Sequence, residues 1–304
     1  MTDIERVGVV GCGLMGAGIA EVCARAGLPV TVVERDAQAA RAGRLRITRS
    51  LDRASAHGRL TDERRVAAAG LITVADQIEA LHDRDLVIEA VAEDERLKAD
   101  VFTRLDAAVT GDHTLLATNT SSIPVIRLAS ATTRPEHVVG VHFFNPVPVL
   151  RLVELVPSLL TSADTVTRAE TFVTGRLGKE VVRTRDRAGF IVNALLVPYL
   201  LAAVRMVESG SAGVEDVDRA MVLGCAHPLG PLALADLIGL DTTRAIAESL
   251  YAEFREPQYS PPPLLSRMVE AGLLGRKSGR GFHAYDGQPQ RGAAAPSTPR
   301  SGER

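Results

Sequence analysis

Four polar residues of this chain could together oxidise an alcohol by hydride transfer: Ser121, His142, Glu154 and Asn193. Such a reaction needs a base that takes the hydroxyl proton, and histidine is the side chain best matched to that task near neutral pH. His142 closes the apolar run 138–141, which predicts a position at the carboxyl end of a strand, where α/β sheets bind ligands. Glu154, on the next apolar run, could fix the imidazole tautomer and stabilise its protonated form.

The other two residues could hold the substrate. Ser121 follows another strand candidate, so it would reach the same edge of the sheet and hydrogen-bond the substrate oxygen, or it could cap the following segment. Asn193 opens the first long helical stretch of the second half of the chain, where its side chain could bridge a domain cleft or cap the helix. For each residue the pattern alone leaves both roles open.

A glycine-rich segment near the N-terminus indicates a bound dinucleotide. The apolar run 7–10 leads into G-x-G-x-x-G, formed by Gly11, Gly13 and Gly16, and a stretch of helical composition follows. Gly11 would permit the tight turn, Gly13 would let backbone N–H groups approach a pyrophosphate, and Gly16 would let the helix pack closely on its strand. The phosphates would then lie at the positive end of that helix.

The second strand candidate, 30–33, bears on the choice of cofactor. It ends at Glu34, whose carboxylate can accept hydrogen bonds from the adenosine ribose hydroxyls, and this favours NAD. The guanidinium of Arg35 could instead pair with a 2′-phosphate, which leaves NADP as the alternative.

Composition indicates a two-domain enzyme of the cytoplasm. The chain has 304 residues, 46% hydrophobic content and a formal net charge of −2. It has no apolar run near the roughly 20 residues that span a bilayer, and no signal-peptide pattern. The near-neutral charge without a basic block argues against nucleic acid as the partner, and the lack of a long apolar run argues against a membrane. Cys12, Cys23 and Cys225 lack metal-site spacing, so we expect no metal and small, buried cysteines.

Strand and helix signals alternate as far as about residue 184, which predicts a mostly parallel sheet covered by helices. The strand candidates are residues 7–10, 30–33, a segment near 72, 86–88, 115–117, 138–141, 152–156 and 181–183. Long helical stretches follow at 191–208, 214–223 and 232–254. We therefore predict an NAD-binding, Rossmann-like domain over 1–185, an all-helical domain over 186–286, and a disordered tail over 287–304.

One helical stretch between the second and third strands carries Arg46, Arg49 and Arg53 near one face. Such a face could hold the phosphates of a large anionic carrier, or it could simply be a solvated basic surface.

Several motifs occur together in one order. They are Gly11 to Gly16 (GCGLMG), Val87 to Glu93 (VIEAVAE), Asn119 to Ile123 (NTSSI), His142 to Pro146 (HFFNP), Gly189 to Asn193 (GFIVN), His227 to Pro231 (HPLGP), Asp236 to Asp241 (DLIGLD) and Lys277 to Phe282 (KSGRGF). This series, over about residues 4 to 286, closely resembles the 3-hydroxyacyl-CoA dehydrogenases, and is most similar to the 3-hydroxybutyryl-CoA dehydrogenases of actinobacterial type.

The resemblance implies a role for each residue of the site. His142 would be the general base with Glu154 as its partner, while Ser121 and Asn193 would hydrogen-bond the substrate. Glu93 would lie near the nicotinamide ribose with Lys98 assisting, and Ser121 would also contact the cofactor. The candidates near the coenzyme A phosphates are Arg53 and His57. A homodimer through the helical domain is also implied. Ala188 and Ala194 stand where many family members have Pro and Arg.

The resulting hypothesis is NAD-linked interconversion of a short 3-hydroxyacyl-CoA, such as 3-hydroxybutyryl-CoA, and its 3-oxoacyl-CoA, acetoacetyl-CoA, in fatty acid metabolism. One alternative is a dehydrogenase of hydroxyacyl groups on an acyl carrier protein. A second is a non-catalytic nucleotide-binding protein. The free 3-hydroxy acid dehydrogenases rely on a lysine in the interdomain helix, and the absence of lysine between Lys179 and Lys277 argues against that class.

Overall fold

The computed structural model describes residues 4–285, so the predicted tail 287–304 lies outside the described residues. The described residues contain eight strands: β1 Val7–Val10, β2 Val30–Val33, β3 Ile72–Ala75, β4 Leu86–Glu89, β5 Leu115–Thr118, β6 Val138–Phe143, β7 Leu152–Pro157 and β8 Glu180–Arg183. They form one sheet in the order β3-β2-β1-β4-β5-β6-β7-β8. Every neighbouring pair is parallel except β6 and β7. The predicted mostly parallel α/β sheet is confirmed.

The sheet is covered on both faces, as its near-continuous apolar strands predict. Along β4, Leu86 and Ile88 belong to one hydrophobic cluster, and Val87 between them belongs to the other. Side chains alternate between the faces of a strand, so the two clusters are the cores on the two sides of the sheet.

Six helices accompany the strands: α1 Leu14–Arg25, α2 Ala37–Ala56, α3 Asp62–Gly70, α4 Glu95–Ala108, α5 Val125–Ala129 and α6 Ala163–Thr171. Several of these helices begin with a capping residue, whose side chain accepts a hydrogen bond from a free backbone N–H of the first turn. The carboxylates of Asp36 and Asp94 accept from Ala39 N at 2.7 Å and from Leu97 N at 2.8 Å. Shorter turns of 3-10 helix lie at Ile78–Leu81 and Pro135–His137, and a π turn at Phe172–Arg176.

A change of direction at β1 creates a ligand crevice in the sheet. The chain moves outward from β1 through β2 to β3, and then returns to pair β4 on the other side of β1. In open α/β sheets the loops that leave two such strands diverge, and they leave a crevice at the carboxyl edge. The fold therefore provides a binding edge above β1 and β4.

A second compact unit begins at Val192, directly after Ile191. It contains α7 Val192–Glu208, α8 Val214–Cys225, α9 Pro231–Ile238, α10 Leu240–Phe254 and α11 Pro263–Glu270, with 3-10 turns at Pro257–Tyr259 and Arg276–Ser278. The predicted all-helical character of this region is confirmed. The functional limits 1–185 and 186–286 stay predictions.

Two sequence expectations were wrong in detail. The stretch 232–254 is two helices, α9 and α10, because Gly239 between them has φ +104°, a value that no helical residue adopts. Cys12 and Cys23 are buried as expected, but Cys225 at the end of α8 is exposed.

Among the described residues, no helix has the length and hydropathy needed to cross a membrane.

Candidate active site

The β6–β7 hairpin brings His142 and Glu154 together. In its antiparallel register the two residues are direct cross-strand partners, and the imidazole Nδ1 lies 2.7 Å from the carboxylate Oε2. Both side chains are buried, at 7% and 1% exposure. An ionised carboxylate can only accept, so Nδ1 carries the proton and the lone pair lies on Nε2. The pair is thus arranged for His142 Nε2 to act as a base.

Residues 190 and 191 complete the surroundings of this pair. The backbone N–H of Ile191 donates to the second oxygen of Glu154, Oε1, at 3.0 Å. The Phe190 ring packs against the imidazole with centroids 5.4 Å apart, and Phe144 packs at 4.5 Å. Phe190 has φ +51°, a left-handed conformation that costs a non-glycine residue about 1 kcal/mol or more. This strained turn places the Phe190 ring against His142 and the Ile191 N–H against Glu154.

Ser121 lies in a turn that is organised by Glu93. The carboxylate Oε1 of Glu93 accepts from Ser121 N at 2.9 Å, from Ser122 N at 3.1 Å and from Ser122 Oγ at 2.9 Å. The hydroxyl of Thr120 donates to the same oxygen, and Ser121 Oγ lies 3.4 Å away. Burial raises the pKa of Glu93, but the Lys98 ammonium and these hydrogen bonds outweigh burial and hold the pKa below its ordinary value. Glu93 is therefore ionised at neutral pH.

Lys98 links Glu93 to a second acid that sequence reasoning did not single out. The ammonium Nζ lies 2.6 Å from Glu89 Oε1 and 3.3 Å from Glu93 Oε2. Glu89 is fully buried at the end of β4, and it also accepts from Val91 N at 2.7 Å and Thr118 Oγ1 at 2.8 Å. The VIEAVAE motif, which contains Glu89, was the sequence feature that could have identified this residue.

A second missed residue, Asn119, ties two strand ends together. Its side-chain Oδ1 accepts from the backbone N–H of Phe143 at 2.8 Å. Because Phe143 follows His142 directly, this bond holds the loop that carries Ser121 against the strand that carries His142. Its place in the NTSSI motif was again the available signal.

The glycine turn after β1 fits the phosphates of a dinucleotide. Gly11 has φ +88°, and a Cβ on Gly16 would lie 1.8 Å from Gly11 O, so neither position accepts a larger residue. Gly13 is exposed, and a Cβ there would meet nothing within 4 Å. Within residues 4–285, no side chain caps the first turn of α1, and this leaves its N–H groups for phosphate oxygens. This turn is the close approach that the fingerprint requires.

Glu34 lies directly beside that turn. Its Oε1 accepts from Cys12 N at 2.6 Å, while Arg46 of α2 donates to Cys12 O, so the turn is held from both sides. Burial raises the pKa of the Cys12 thiol to about 12, so the thiol stays protonated and unreactive. The side chain of Arg35 is 85% exposed and pairs with Asp36 at 3.2 Å.

Three predicted site residues remain, namely Arg53, His57 and Asn193. Arg53 and His57 are exposed at the last turn of α2, with His57 Nδ1 donating to Arg53 O at 2.7 Å. They are about 10 and 16 Å along the helix from Arg46. Their role near the coenzyme A phosphates stays a prediction. Asn193 is half-buried at the second position of α7, in the second unit, and its role stays a prediction.

A phosphate-binding glycine turn and a buried histidine–carboxylate pair on one sheet edge define a nicotinamide-dependent dehydrogenase acting on an alcohol. Comparison with protein families agrees. Residues 6–187 match the family described as 3-hydroxyacyl-CoA dehydrogenase, NAD binding domain, and residues 189–285 match its C-terminal domain. The chain belongs to the 3-hydroxyacyl-CoA dehydrogenase family, and its cofactor is NAD.

Individual relatives are similar over nearly their whole length. A 3-hydroxybutyryl-CoA dehydrogenase of Mycobacterium tuberculosis is 58% identical over 286 residues, which is 94% of this chain and 100% of that protein. The mitochondrial hydroxyacyl-coenzyme A dehydrogenase of Rattus norvegicus is 41% identical, covering 93% and 91%. The crystal structure of the (S)-3-hydroxybutyryl-CoA dehydrogenase of Ralstonia eutropha superposes with a TM-score of 0.88 at 42% identity, covering 94% and 100%.

Proposed function

We propose that this chain interconverts 3-hydroxybutyryl-CoA and acetoacetyl-CoA with NAD as the cofactor. The observation that carries the proposal is the buried pair of His142 and Glu154 on the same sheet edge as the glycine turn. The names of similar proteins support the short-chain CoA substrate, since the relatives at 58% and 42% identity are both 3-hydroxybutyryl-CoA dehydrogenases.

In the oxidative direction, His142 Nε2 takes the proton of the substrate hydroxyl. The positive charge that forms on the imidazole is stabilised by the Glu154 carboxylate, which already accepts the Nδ1 proton. Bound NAD would supply the acceptor for the hydride, which leaves the carbon that bears this hydroxyl. Ser121 holds the substrate oxygen through its Oγ, and we assign Asn193 a second hydrogen bond to the substrate. In the reverse direction the imidazolium returns the proton to the oxygen.

The first experiment measures oxidation of NADH and NADPH with acetoacetyl-CoA, in parallel with an acetoacetyl group on an acyl carrier protein. We expect turnover with the CoA substrate and NADH, and a fall in kcat of about 10²- to 10⁴-fold for His142→Ala with dinucleotide binding retained. His82→Ala, at an exposed histidine, is the matched control. Faster turnover of the carrier-linked substrate would show that the substrate is carried by an acyl carrier protein and not by CoA. Full activity of His142→Ala would show that His142 is not the base.

We further infer that the chain acts as a homodimer through its helical unit. Three leucines of this unit are exposed, Leu195 of α7 at 72%, Leu223 of α8 at 71% and Leu237 of α9 at 52%, and a partner subunit would cover such apolar side chains. Sedimentation velocity tests this, and a monomer at working concentration would contradict it. We expect a cytoplasmic location, and neither nucleic acid nor membrane as a partner.

A further inference from the structure

Two acids and one lysine form a charged group beside the glycine turn. Lys98 Nζ is 2.6 Å from Glu89 and 3.3 Å from Glu93, and the lysine and Glu89 side chains are 1% and 0% exposed. Two carboxylates against one ammonium leave a net charge of −1. No arginine, histidine or further lysine within 4.0 Å neutralises either acid among the ion pairs of the described residues. The group therefore presents one uncompensated negative charge to its surroundings.

The group lies on the side of the turn where the nicotinamide must lie. Glu34 follows β2 on one flank of β1, and Glu89 ends β4 on the other flank, paired in register with Val10. A Cβ on Gly11 would lie 2.8 Å from Ala90 O, so the turn rests directly on the residue after Glu89. With the phosphates at the turn and the adenosine at Glu34, the nicotinamide half of the dinucleotide extends toward β4, β5 and His142 on β6.

We propose that the Glu89–Lys98–Glu93 group is an electrostatic device that favours binding of the oxidised cofactor over the reduced one. The oxidised nicotinamide ring carries a positive charge and the reduced ring is neutral, so a fixed negative charge attracts only the first. Burial strengthens this effect, because Glu89 and Lys98 are screened from water. The inference rests on the proposed binding of NAD, and it assigns Glu89 two tasks: it holds Lys98 in place and contributes one of the two negative charges.

The test compares dissociation constants for NAD⁺ and NADH by calorimetry, without acyl substrate. Glu89→Gln removes one charge and keeps the direct hydrogen bonds between Glu93 and the serine turn, whereas Glu93→Gln removes one charge and weakens that turn. In both variants we expect the preference for NAD⁺ over NADH to fall on the order of 3- to 30-fold, as Coulomb's law gives for one charge nearby in partly screened surroundings. Lys98→Met leaves two carboxylates and should shift the ratio in the opposite direction. Melting curves show which variants fold.

Glu95→Gln is the matched control, because Glu95 opens the same helix but is 48% exposed and pairs with Arg127. It should leave the ratio unchanged. A purely structural role for the group would weaken both forms equally, so an unchanged ratio in Glu89→Gln and Glu93→Gln overturns the inference. A wild-type chain that binds neither form would instead overturn the proposed NAD-dependent function.

Discussion

Replacing Glu154 by glutamine tests how much of the reaction depends on the charge behind His142. The substitution keeps the shape of the side chain, but its amide has one acceptor and one donor end. The groups that donate to the native carboxylate include His142 Nδ1 at 2.7 Å and Ile191 N at 3.0 Å. In one amide orientation the NH₂ end faces the Ile191 N–H. In the other orientation it donates to Nδ1, which moves the proton to Nε2 and removes the base.

The expected magnitude follows from the geometry of this pair. The imidazolium and carboxylate are in contact and nearly free of solvent, with side-chain exposures of 7% and 1%. Two unit charges about 4 Å apart attract by about 4 kcal/mol at an effective dielectric constant of about 20. This attraction exists in the transition state, where the imidazole has taken the proton, and is absent while the imidazole is neutral. We therefore expect kcat to fall by about 10²- to 10³-fold in Glu154→Gln, since each 1.36 kcal/mol is a factor of ten.

The assay is steady-state reduction of acetoacetyl-CoA by NADH, with the dissociation constant for NADH measured separately. Binding of NADH should stay near the wild-type value, because Glu154 lies behind the histidine. Glu136→Gln is a matched control: Glu136 also faces a histidine, with its Oε1 3.8 Å from His137 Nε2, but it is exposed and precedes the amino end of β6, whereas His142 lies near the carboxyl end. A folded Glu154→Gln enzyme with kcat within about threefold of wild type would refute the electrostatic argument.

Three further perturbations test other parts of the structure. Gly16→Ala places a Cβ 1.8 Å from Gly11 O and should weaken NADH binding at least about 10-fold in calorimetry, whereas Gly70→Ala, which meets nothing within 4 Å, should not. Glu34→Ala should lower the ratio of kcat/KM for NADH over NADPH by about 10-fold, and an unchanged ratio would exclude its ribose contact. Burial lowers the pKa of His137 below 6.5, so protonation destabilises the folded chain as the pH falls through that value. His137→Gln should reduce the fall in Tm between about pH 7.5 and about pH 5, and an equal fall would contradict this.

The sequence was most informative where chemistry follows a parallel strand. Gly11, Glu34 and Ser121 come after β1, β2 and β5, and His142 is the penultimate residue of β6. Parallel strands end at one edge, so knowing the strands was enough to expect these residues on the same side of the sheet. The helices of the second unit were also predictable from their periodicity, except where Gly239 divides α9 from α10.

The charged group of Glu89, Lys98 and Glu93 could not be predicted in the same way. An acid at the end of an apolar strand is equally consistent with a solvated loop, and burial of Glu89 depends on a lysine nine residues later and a threonine 29 residues later. Hydrophobic periodicity identifies which face an element buries, but it carries no information about which polar groups pair beneath that face. The same limit applies to Phe190, whose left-handed backbone nothing in its residue type favours.

Glu154 differs from all the other site residues because it lies in the middle of a strand that runs the opposite way. Its position depends on the register of β6 and β7, in which His142 faces Glu154 and Val141 faces Leu155. A slip of one residue would turn Glu154 to the other face of the sheet and leave a buried, unpaired carboxylate. Leu155 would then replace it beneath the imidazole. The buried apolar residues on both faces of β7 therefore do more than form a core, since they fix the register that supplies the base with its partner.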